Sequence, residues 1–241
     1  MFGVFAVHPA ISQSFVYSAG HADIGVAYEG GALEPHWHMH GDAVVNGTPL
    51  GVDTEFAPGD VLAFVPNPSI SRPAGAQWDF LGTLAGSPLW LLPASNIAGK
   101  PFLGIASEEL AGPEWSSLTV SLVGVSGPSG GAFSLWQTDG FNPPDVKMAS
   151  SDGFSGADTM SVVPGGHDHY FYGFTKAGVY QVTLRWDGEH TVDGAISATD
   201  TFAFGVTVVP EPADVGWIAA LGLGAFAWHR RRVSRANAGC Q

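Results

Sequence analysis

With 241 residues, 33 glycines and 17 prolines, the chain is long enough to bury a full core yet punctuated too often for long helices. Nine basic residues face 22 acidic ones, and Arg230, Arg231, Arg232 and Arg235 all lie in the tail, so the first 214 residues are strongly acidic. Such a surface repels phosphate backbones and excludes nucleic acid as an expected partner, while a lone cysteine, Cys240 in the tail, excludes disulfides and thiolate chemistry from the body.

Residues 1–15 open with the apolar stretch Met1 to Ala10, which has no basic start and reads either as the remnant of an export signal or as a first strand. From Ala22 to Tyr28 apolar residues alternate, with Ala22, Ile24, Val26 and Tyr28 on one face and His21, Asp23 and Gly25 on the other. A turn at Glu29-Gly30-Gly31 then returns the chain as a strand from Leu33 to His40, with Pro35 placing its start at an edge. This hairpin brings His21 or Asp23 close to His36 and His38. Further strands are expected after the Ala57-Pro58-Gly59-Asp60 turn, over Trp78 to Leu84, and over Leu89 to Leu92.

In the second half, Ser116 to Val125 and Ala132 to Thr138 read as strands. Residues 141–157 read as an exposed loop, and Asp145 and Asp152 within it and Asp158 just after it are expected to be solvated rather than calcium ligands. His167 to Phe174 and Gly178 to Trp186 are expected to pair as a hairpin, with Ala203 to Val209 closing the sheet. Tyr180, at the start of a strand, is placed like the tyrosine that pins the corner of immunoglobulin-like sandwiches. The expected fold is all-β, a Greek-key β-sandwich built as one large or two packed units. Its divisions would be residues 16–95 and an immunoglobulin-like sandwich over 96–209, followed by a C-terminal segment with a single hydrophobic helix over 210–241.

Val215 to Trp228 is an uncharged apolar run of 14 residues followed by His229 and three arginines. As a helix it covers about 21 Å, short of the ~30 Å hydrocarbon core, so it spans only with the help of snorkelling arginines, which stay cytoplasmic. Val209-Pro210-Glu211-Pro212, this short apolar run and Arg230, Arg231 and Arg232 together resemble the PEP-CTERM sorting signal of exosortase-bearing Gram-negative bacteria. The resemblance covers about the last 32 residues and implies export, transient anchoring in the inner membrane and processing by an exosortase. The body is similar to the choice-of-anchor M and related surface-anchored proteins through Gly20 to Val26, Glu34 to His38, Ala57 to Asp60 and His167 to Tyr180. That second likeness implies a location at the cell surface more than a chemistry.

The chemistry lies in the histidines. His36-Trp37-His38, extended by Met39-His40, and His167-Asp168-His169 repeat one pattern, and in a strand each H-x-H directs two imidazoles to one face. Neutral imidazole is the commonest protein ligand for zinc, copper, iron and nickel. The expected metal ligands are His21, His36, His38, His167 and His169, with His40, Asp23 and Asp168 as supporting residues and zinc or copper as the ion. If both pairs serve one ion, their strands must be neighbours. The alternative is a structural or adhesive module of the extracellular polysaccharide matrix, contacting polysaccharide through Trp37, Tyr170 and Tyr172. Sequence marks of hydrolase or nucleotide chemistry, such as G-x-S-x-G, H-E-x-x-H or a P-loop, do not occur, and a non-enzyme is expected.

Overall fold

The computed structural model describes residues 13–138, 140 and 143–209. The export remnant, the apolar C-terminal run and the arginine cluster lie outside the described residues. The chain begins with β1 (Phe15–Glu29), turns at Gly30 and Gly31, where φ is 58° and 90°, and returns as β2 (Ala32–Met39). Short strands β3 (Val44–Val45), β4 (Thr48–Pro49) and β5 (Thr54–Phe56) precede β6 (Val61–Val65). Next come β7 (Ile70–Ser71), β8 (Pro88–Leu92), β9 (Pro101–Ala106) and the long β10 (Trp115–Ser126). They are followed by β11 (Phe133–Gln137), β12 (Asp145–Ala149), β13 (Thr159–Ser161) and β14 (His167–His169). The chain of strands ends with β15 (Phe171–Phe174), β16 (Gly178–His190) and β17 (Gly194–Val206). No helix among the described residues is long and apolar enough to cross a membrane.

The strands form two sheets. Twelve belong to one, with the order β13-β10-β16-β17-β6-β1-β2-β5, and five form the other, ordered β12-β11-β15-β8-β7. β1 joins two parts of the larger sheet because it bends. Phe15 to Tyr17 run parallel to β6, whereas the stretch beyond Gly20 runs antiparallel to β2 and parallel to β9. Gly20 has φ of +81°, and a Cβ there would stand 2.2 Å from the Asp42 carbonyl oxygen, so only glycine fits the bend. Tyr17 secures it, its hydroxyl donating to the Gly20 carbonyl and accepting the Phe102 N–H at 3.1 Å.

Between the sheets lies one core. Phe204 of the larger sheet meets Phe133, Tyr172 and Phe174 of the smaller one at ring separations of 6.2, 5.9 and 5.3 Å, and Trp37 packs on Phe202 and Phe204. Truncating a joint such as Phe204 to alanine costs about 3–5 kcal/mol. Tyr180 pins its corner: the hydroxyl donates to the Lys176 carbonyl at 3.1 Å and accepts the Lys176 N–H at 3.2 Å.

Several expectations are corrected. Of the one large or two packed units expected, Gln13–Val209 form one, and the division at position 95 is not kept, because residues on either side of it interleave, with β9 beside β1 and β6 between β1 and β17. Ala76–Leu81, which overlaps the first half of the expected strand over Trp78 to Leu84, is a 3-10 turn. Gly82 ends it in the left-handed region, and Trp78 and Phe80 turn inward onto Trp136. Part of the expected loop is β12, an edge strand on β11. The hairpin of His167 to Phe174 with Gly178 to Trp186 does not form, because β14 pairs with β9 and β15 with β8 and β11. Phe174 and Tyr180 meet across the core instead, ring to ring at 5.0 Å.

Candidate metal centre

Five adjacent strands, β14-β9-β1-β2-β5, carry the histidines. Their register places His169 opposite Gly104, Gly104 opposite Asp23, Asp23 opposite His38 and His38 opposite Glu55, one row across the sheet. Because residues in such a row share a face, His21, Asp23, His36, His38, His167 and His169 all stand on one side. Ala22, Ile24, Trp37, Met39, Leu103 and Ile105 occupy the other and enter the core. Two glycines hollow out the polar face. A Cβ on Gly104 would lie 2.0 Å from Asp23 Oδ1, and one on Gly25 would lie 2.8 Å from His36 Nε2.

Ligand atoms of His21, His167 and His169 lie within 4.8 Å of one another, as do those of His36, His38, Glu55 and Glu109. Two further sets, His21-Asp23-His40 and His38-His40-Asp53, share His21 with the first and His38 with the second. These clusters of His, Asp and Glu can hold a metal ion. Two ligands on one ion with bonds of ~2.0–2.1 Å stand about 3.3 Å apart in a tetrahedron, so a set spread over as much as 4.8 Å has to draw in to bind one.

The inner set has nitrogens without partners. His21 Nε2 and His169 Nδ1 are buried and make no hydrogen bond, and the buried Asp23 Oδ1 is likewise idle. His21 Nε2 lies 3.4 Å from Asp23 Oδ2 but out of line for a hydrogen bond. The His21 ring stacks on His40 at 3.9 Å, and the His169 ring stacks on Phe102 at 3.6 Å. Burial lowers the His21 pKa to about 4, with nearby His40, His169 and His167 adding to the effect. His169 is also lowered to about 4 by burial, against the opposing pull of a hydrogen bond to the Leu103 backbone. Asp23 is raised by burial, partly offset by His40. Both histidines are therefore held neutral near pH 7.

In the outer set, Glu109 Oε1 lies 2.8 Å from His36 Nε2 and 3.2 Å from His38 Nδ1. Glu108 reaches the other pair, at 2.6 Å from His167 Nδ1. The turn that carries both acids is tied down by Ser107, whose backbone N–H donates to the Gly166 carbonyl and whose hydroxyl donates to the Val163 carbonyl.

The five expected ligands thus share one face, but the two pairs fall into different sets. β9 and β1 stand between β14 and β2, so the strands of the two pairs are not neighbours and the condition for both pairs serving one ion is not met. Asp168 pairs with Ile105 and so lies on the opposite face from His167 and His169, which removes it as a ligand of the histidine face. Trp37, Tyr170 and Tyr172 are buried and offer no polysaccharide platform. Sequence reasoning missed Glu108, Glu109, Asp53 and Glu55. Glu108 and Glu109 are the only adjacent acids in the chain, and Asp53-Thr54-Glu55 repeats the period-two spacing of the histidines; both were available signals.

Compared with known protein families, curated proteins and solved structures, the chain matches none.

Proposed function

We propose that this is an exported, surface-anchored bacterial protein that binds a transition metal, zinc or copper, through His21, His167 and His169. The observation that carries this reading is the pair of idle, buried imidazole nitrogens, His21 Nε2 and His169 Nδ1, on two rings that each bring a ligand atom within 4.8 Å of one on His167. An unpartnered buried polar atom costs about 1–3 kcal/mol, and a metal–nitrogen bond offsets that cost. Neutral imidazoles need lose no proton to bind the ion. Asp23, whose carboxylate lies behind His21 and His40, supplies negative charge to balance it. Zn(II) and Cu(II) titrated calorimetrically into untagged protein should bind at micromolar concentration or tighter. Unchanged affinity in both His21→Ala and His169→Ala would sink the site.

The sorting-signal resemblance of Val209 to Pro212 and of Arg230 to Arg232 supports the anchoring half of the proposal. The chain should fractionate with membranes in cells lacking an exosortase, and should shift to lower mass when one is present. A mass shift that persists when Pro210, Glu211 and Pro212 are changed to alanine counts against it.

A further inference from the structure

We infer that the same face carries a second, outer metal site built from His36, His38, Glu55 and Glu109, on residues separate from the His21 centre. The ring of His36 is oriented from behind. Its Nδ1 lies 3.0 Å from the Glu34 carbonyl oxygen, which can only accept, so Nδ1 carries the proton and the Nε2 of a neutral ring carries the lone pair. That lone pair points at Glu109 Oε1, 2.8 Å away, itself an acceptor. Two acceptors at this distance need a cation between or beside them, either a proton or a metal ion.

The surroundings favour the metal. The same Glu109 oxygen lies 3.2 Å from His38 Nδ1, close to the ligand spacing of a tetrahedral ion, and Glu55 comes from the next strand, opposite His38. A backbone carbonyl holding the far nitrogen of a ligand histidine is the usual support of a metal-bound imidazole. Gly25 leaves the space in which the His36 ring lies across β1, since a Cβ there would stand 2.8 Å from Nε2. His36 and Glu55 also form part of the wall of a cleft of about 460 Å³ whose Glu29, Glu34 and Asp200 add negative charge beside the site. Two imidazoles and two carboxylates make a harder, more negative ligand set than the three imidazoles of the inner centre. It suits a divalent ion such as Zn(II) or Mn(II).

Native mass spectrometry of the full chain loaded with Zn(II), together with titration, tests the inference. The wild type should hold two ions. His36→Ala, Glu109→Gln and Gly25→Ala should each leave one, as should His169→Ala, and His36→Ala combined with His169→Ala should leave none. Glu109→Gln separates ligation from scaffolding, because the amide can donate to the His36 lone pair. If Glu109 binds metal, the variant loses the ion while its metal-free melting temperature holds or rises; if Glu109 is only structural, it melts lower and keeps both ions. Two ions retained in His36→Ala, or a single wild-type ion lost only with His169→Ala, overturns the outer site and leaves the inner one standing. A single ion lost only with His36→Ala supports the outer site and overturns the inner. One ion lost with either variant means a single shared site and overturns the inference, and no binding in the wild type overturns both.

Discussion

His190 and His169 are both largely enclosed by protein, yet their nitrogens keep different company. His190 Nδ1 accepts the Asp193 backbone N–H at 3.1 Å, and its ring packs against Tyr28 and Trp115 at 4.8 and 5.0 Å. The Tyr28 hydroxyl donates to Asp193 and completes the cluster. His169 stacks on Phe102 in a similar way, but its Nδ1 has no partner and its ring stands 4.9 and 5.4 Å from those of His21 and His167. Burial alone therefore says little about a histidine. A satisfied nitrogen makes it part of the scaffold, whereas a nitrogen hidden from water with nothing to bond is held at a cost and marks a place for a ligand.

The sharpest way to break this contrast is to truncate both histidines. His169→Ala should weaken Zn(II) binding at the inner centre by about 100-fold or more and shift the metal-free melting temperature by only a few degrees, because the loss of the Phe102 ring contact and the Leu103 backbone bond is offset by removal of the unpartnered, buried Nδ1. His190→Ala should leave affinity within about twofold but lower metal-free stability by about 1–3 kcal/mol, which at roughly 2–4 °C per kcal/mol is readily seen in a melt. Calorimetry and thermal melts on the two variants give both numbers. The reverse pattern would mean that idle nitrogens do not mark the site.

Acid gives a second, intermediate test. With folded-state pKa values near 4 against about 6.5 in the unfolded chain, His21 and His169 take up protons on unfolding between these limits. Their contribution to metal-free stability is complete above pH 6.5 and is lost as the pH falls towards 4. Denaturant midpoints measured from pH 7 to pH 4.5 should fall, and the fall should be shallower in His169→Ala. Metal binding at the inner centre should persist to about pH 5, below the pH near 6 at which an ordinary histidine site releases its ion. Release at pH 6 would show that the imidazoles are not held neutral.

The smallest expected effect is at Asp23. Its raised pKa means that burial of the carboxylate disfavours the charged form, so its contribution is present at low pH and lost as pH rises through the folded value. Asp23→Asn should raise the metal-free melting temperature by a few degrees at pH 7 and reduce the further rise produced by Zn(II). A lower metal-free melting temperature would assign the carboxylate to the scaffold, like Asp193.

The local half of this arrangement is legible in the sequence, because it depends on a period of two. Alternation at Ala22-Ile24-Val26 and at His36-His38 places the apolar residues inward and the imidazoles on the other face, and Glu29-Gly30-Gly31 sets the hairpin that puts Asp23 opposite His38. Glycine and proline spacing likewise marks the chain as β. The strand order across the sheet depends on contacts between residues far apart in the chain, and periodicity carries no trace of it. Only the tertiary structure inserts β9 beside β1 in parallel, about 80 residues away in sequence, and so separates the two H-x-H pairs that chemistry alone would have joined. The same insertion brings Glu108 and Glu109 over the face and sets the side chain of Asp23 against the missing Cβ of Gly104, while the packing of the whole fold buries the aromatic rings that sequence alone left free for a surface role. A strand's own alternation follows from the geometry of each residue, whereas its neighbours are chosen by which apolar faces the whole chain can bury together.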